Sequence, residues 1–145
     1  MKPSKALKTL LWVSELKETK AKEDFQRGRR ALRELEEMLA EIKAKPRQLY
    51  DQITGRELSG EELRWFAERV NHTLEEKHKV ERILKEKERE VESLRQKALR
   101  LHKRRRIAET LYRKAREAYL RELEENEMKT LEDLVLMRRQ KDESL

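Results

Sequence analysis

The residues best suited to chemistry in this chain are its histidines and carboxylates. Glu75 and His78 have the Glu-x-x-His spacing that puts two ligands on one helical face in di-iron bundles. Such sites use two copies of the motif and two further glutamates, and only one copy occurs. His72 and His78 are six apart, so on a helix they point to different sides. Cysteine is absent, which excludes disulfides, thiolate ligands and a thiol nucleophile. Gly28, Gly55 and Gly60 are the three glycines and form no phosphate-binding loop. Carboxylates are plentiful, but two long helices offer no cavity to raise a carboxyl pKa or exclude water. The reading is of a protein that is not an enzyme and that carries no metal or cofactor.

The elements behind these residues follow from composition and period. Asp, Glu, Lys and Arg make up 46% of the 145 residues, against about 25% in an average globular domain. Aromatics are 5%, with three Gly and two Pro. That is too little apolar volume for a compact core, but enough for helices that bury a stripe. The longest uncharged run, Thr9 to Ser14, is far short of the roughly 18 apolar residues of a membrane helix. It is also shorter than a signal-peptide core, so a soluble, cytoplasmic protein is expected.

Alternating steps of four and three from Leu7 reach Leu11, Ser14, Glu18, Ala21, Phe25, Gly28, Leu32, Leu35, Leu39, Ile42, Pro46 and Leu49. Nine of these thirteen positions are apolar in a chain that is 36% hydrophobic, which is a heptad seam. A second seam starts at Leu63 and runs to Tyr119 through Phe66, Val70, Thr73, Lys77, Val80, Leu84 and their successors. Between the seams, Thr54-Gly55 stops a helix, and Ser59 with Glu62 forms a capping box that starts another. The expected fold is therefore all-α, a single domain over 1–145: an antiparallel two-helix coiled-coil hairpin with a longer second helix. Helix 1 spans about 4–53, the tip 54–60 and helix 2 about 61–140. Pro46 should kink or loosen helix 1. Two parallel helices zipped into a homodimeric rod also satisfy the seam.

Folding at the tip makes partner numbers sum to about 116. Phe25 then meets Val91, Leu32 meets Leu84, Leu11 meets Arg105, and Lys87 covers the gap at Gly28. Helix 1 runs out opposite residue 112, leaving an overhang over 113–140. There the seam decays into Glu122, Asn126, Lys129 and Asp133, while Leu123, Met128, Leu131, Leu134, Val135 and Leu136 take other spacings. Residues 95–116 hold ten Lys/Arg and one Glu; residues 117–133 hold seven Asp/Glu and two Lys/Arg. The basic block centres on Lys103, Arg104, Arg105 and Arg106. A solvated helix face and a nucleic-acid surface both fit it, but no zinc finger or interleaved aromatic pattern accompanies it, and no specific nucleic acid is expected. Trp12, Tyr50 and Trp65 each adjoin a seam residue and so face away from the seam, as anchors for a partner or as local packing.

Three stretches carry a family likeness: LEEMLAEIKAKPRQLY over 35–50, RWFAERVNHTLE over 64–75 and ENEMKTLEDLVLMRR over 125–139. In them the chain resembles the flagellar type III export protein FliJ family and, more distantly, its injectisome counterparts. The likeness covers nearly the full length. It implies a stalk-like coiled coil that inserts its terminal end into the hexameric ring of the export ATPase. It also implies contact with the cytoplasmic part of the export gate, cycling of export chaperones, and peripheral association with the inner-membrane export apparatus. The ATPase contact would fall on Leu123, Met128, Leu131, Leu134, Val135 and Leu136. The gate contact would fall on exposed positions near the tip: Ile42, Tyr50, Val70 and Leu74. Lys77 departs from the family, which often has a small residue there. The isolated protein is expected to be a monomer.

Overall fold

The computed structural model describes residues 2–143. Helix α1, Lys5–Ile53, starts where Ser4 supplies a cap. The Ser4 hydroxyl accepts the Leu7 N–H at 3.2 Å, one of the donors that a helix start leaves without an internal partner. Pro46 lies inside α1 and gives the Ile42 carbonyl no donor, yet the helix runs on unbroken to Ile53. It ends where the Thr54 hydroxyl donates to the Tyr50 carbonyl at 2.8 Å and Gly55 takes a φ of 79°. That left-handed turn is open to Gly at no steric cost. Residues 54–59 lie outside both helices. Ser59 then accepts the Glu62 N–H at 3.2 Å and opens α2, Gly60–Glu143, whose first turn carries Glu61 and Glu62 against the positive end of the helix dipole.

The fold is all-α, an antiparallel two-helix coiled-coil hairpin whose second helix is the longer. The chain falls into two compact units: Lys20–Leu99, and Met1–Thr19 with Arg100–Leu145. In the first, Leu39, Ile42 and Val80 form a buried cluster with Leu84 packed on it. Gly28 sits so close to α2 that a Cβ there would lie 3.2 Å from both Val91 and Leu94. In the second unit, Glu18 and Ala108 are buried, with Leu7, Leu11, Leu101, Tyr112, Ala115 and Tyr119 half-buried around them.

Every expected seam position of α1 is buried or half-buried, and in α2 only Leu63 is exposed. The register, however, is about one helical turn further on than the fold point suggested. Gly28 meets Val91 and Leu94 rather than Lys87; Lys45 pairs with Glu76; in the other unit Glu18 pairs with His102 and Arg105, and Arg105 is not opposite Leu11. Partner numbers thus sum to 119–123. The connector explains the offset. Six non-helical residues, 54–59, reach far enough for the first turns of α2 to project past Ile53, which is why Leu63 finds no cover.

Candidate partner-binding surfaces

At the tip the structure separates four residues that the family likeness grouped together. Ile42 is in the core and Val70 is half-buried, because both lie on seams; neither offers an exposed face. Tyr50 and Leu74 are exposed, as are Leu63 and Trp65. Trp65 carries the guanidinium of Arg69 5.2 Å from its ring, one turn away, and Phe66 faces inward. A shallow polar groove of about 300 Å³ opens beside Leu49, lined by Lys45, Arg69, His72 and Glu76. Glu76 lies 3.5 Å from the Lys45 ammonium and 3.0 Å from His72 Nε2. Neither His72 nor His78 is near a metal cage: among the described residues no group of three or more His, Cys, Asp or Glu is placed to hold an ion.

The basic block divides into an inward and an outward part. His102 and Arg105 turn into the seam. His102 Nδ1 lies 2.7 Å from Glu18 Oε1, and the Arg105 Nε–H donates to Glu18 Oε2. Arg105 also reaches Glu109, one turn on. The Glu18 side chain is only 4% exposed, so it rests on the Arg105 guanidinium and the His102 ring. Lys103, Arg104 and Arg106 remain exposed. Arg104 flanks an apolar groove of about 280 Å³ lined by Leu10, Val13, Leu101 and Ile107. Sequence reasoning missed both features. The signal for the first was available: Glu18 and Arg105 are opposite charges, each breaking a seam.

The overhang is shorter than expected. Tyr112, Ala115 and Tyr119 are still half-buried, and continuous exposure starts at Leu120 and runs to residue 143. Within it Leu123, Met128, Leu131, Leu134, Val135 and Leu136 are all between 40% and 59% exposed, and Met137, not anticipated, is exposed as well. The helix stays intact beyond the last residue that α1 can cover. Elsewhere on α2, Glu92 accepts from Arg95 at 2.7 Å and from Gln96 at 3.1 Å. These bonds, Arg95 first, pull its carboxyl pKa down to about 2.

Among the described residues no helix is long and apolar enough to cross a membrane. Fold and surface together define a helical hairpin with a buried seam, a buried charge cluster and a bare apolar helix end. Comparison with protein-family models, curated proteins and solved structures returned no match.

Proposed function

We propose that this protein is a non-enzymatic stalk and adaptor of the flagellar type III export apparatus, working in the cytoplasm at the inner-membrane export machinery. One observation carries the reading: a continuous helix, 120–143, that α1 leaves bare and that presents eight large apolar side chains to solvent. Monomeric proteins rarely leave so much apolar surface uncovered unless a partner covers it. The likeness to the FliJ family names that partner as the export ATPase ring, entered by the open end. Tyr50 and Leu74, exposed near the tip, are then the residues left to face the export gate. Export chaperones complete the set of partners.

The test is stimulation of the export ATPase by the purified chain. Truncation after Leu120, or Leu131→Ala with Leu134→Ala, should abolish stimulation while far-ultraviolet circular dichroism still reports a folded hairpin. Full stimulation by the truncated chain would sink this assignment of the overhang. A second reading has its own observation: Lys103, Arg104 and Arg106 are exposed and point away from the seam, which suits a polyanion.

A further inference from the structure

The strongest electrostatic feature of α2 is not any one residue but a reversal of sign along one exposed helix. Residues 100–116 hold eight Lys/Arg and one Glu, a net charge of +7. Residues 117–133 hold seven Asp/Glu and two Lys/Arg, a net charge of −5. Both halves belong to the same compact unit. α1 covers one side of the first half, and among the described residues the second half is exposed from Leu120 on. We propose that two copies of this chain pair antiparallel through this part of α2, about a two-fold axis at Ala118, so that the basic half of each lies on the acidic half of the other.

Several observations support this arrangement. Charge decides the direction, because an antiparallel pair sets +7 against −5 twice, whereas a parallel pair sets like against like. A strictly seven-spaced column then lines the contact: Arg104, Leu111, Ala118, Glu125 and Glu132, all exposed. Pairing about Ala118 brings Arg104 of one copy to Glu132 of the other, and the reverse, and it sets the smallest side chain of the column where the helices cross. Ile107, 61% exposed, meets Met128, 59% exposed. The apolar groove beside Arg104 and Ile107 lies under the same partner segment. Within one chain Arg104 and Glu132 are 28 residues apart on a helix, about 42 Å, so they cannot meet except between copies.

The hairpin seam is satisfied within each chain, so this pairing is not needed for folding and is reversible. It covers part of 120–136. If the overhang engages an ATPase ring, as proposed above, the paired form is then a stored form that cannot do so, and only this last clause depends on that reading.

The experiment is sedimentation velocity of the full chain alone, so a negative result leaves the ATPase reading untouched. The wild type should sediment as a dimer at low salt and shift to monomer between roughly 0.01 and 1 M salt as screening shortens from about 30 Å to 3 Å. Arg104→Glu alone and Glu132→Arg alone should each weaken the dimer by about tenfold or more, because each turns two attractive contacts repulsive. An equimolar mixture of the two variants restores both contacts and should recover dimer to near the wild-type level. Circular dichroism checks that both variants keep their helix. A monomer at low salt, a dimer indifferent to salt, or a mixture no better than its components would each overturn the proposal.

Discussion

Glu18 is the residue whose chemistry least matches its position. A carboxylate in a heptad seam is expensive to desolvate, and it is held there by Arg105 and His102. The two ends of the pair are unequal. Glu18 is nearly closed off, while Arg105 is 25% exposed and keeps Glu109. Arg105→Ala should therefore destabilise the hairpin by about 2 kcal/mol in urea unfolding, because it leaves a buried carboxylate short of a partner. Glu18→Leu should be neutral or stabilising, since leucine fills the seam and Arg105 can extend its head to water. The opposite order of the two variants would show that packing, not charge, sets this site. The sequence marked both residues as breaks in the seam but did not bring them together, because the assumed fold point set Arg105 against Leu11. Glu92 offers a simpler case. Its folded pKa lies below the ordinary 4.5, so its pairing adds stability above that value and loses it as pH falls toward 2. The pair is exposed, so the effect on unfolding should be slight, and the informative measurement is local. Arg95→Gln should move the Glu92 carboxyl titration, followed by carbon NMR, up toward 4.5.

At the scale of the elements, the seams were legible at every position but Leu63, because heptad spacing reports which face is covered whatever covers it. Register was not, because it depends on how far a short irregular connector reaches, and hydrophobic spacing says nothing about that. The difference is directly measurable. Gly28→Cys with Val91→Cys should crosslink within one chain on oxidation, since a Cβ at 28 would already lie against the Val91 side chain. A crosslink found only between chains would contradict the hairpin. The end of cover on α2 was also misplaced by the register error, at 112 instead of 119, and this too separates two outcomes. Truncation after Leu120 removes, among the described residues, only exposed ones and should leave the melting temperature nearly unchanged. Truncation after Arg113 removes half-buried Ala115 and Tyr119 and should lower it by several degrees, at roughly 2–4 °C per kcal/mol for a chain of this size. The exposed apolar residues of the overhang were readable from their departure from the seam; the groove beside Ile107 was not, because it needs two helices in their true register.

At the scale of the whole molecule, a net charge of +7 invites the idea of a nucleic-acid binder, and the placement of the charges argues against a tight one. Of the block 102–106, His102 and Arg105 are spent on Glu18, which leaves Lys103, Arg104 and Arg106. Those three sit at different angles round the helix, so a single strand cannot take all of them in one pass. Even all three phosphate contacts together would give a slope no steeper than about −2.7 in log affinity against log salt, with binding no tighter than the 10⁻⁴–10⁻⁶ M range of non-specific association at physiological salt. Lys103→Glu with Arg106→Glu should flatten that slope by about two units. Fluorescence anisotropy with a labelled duplex and a labelled single strand, each over a salt series, makes the check. Submicromolar affinity at physiological salt would turn the basic half of α2 from a solvated and self-pairing surface into a nucleic-acid site. It would also predict that added polyanion dissolves the antiparallel dimer, since the same arginines cannot hold a phosphate backbone and the acidic half of a second copy at once.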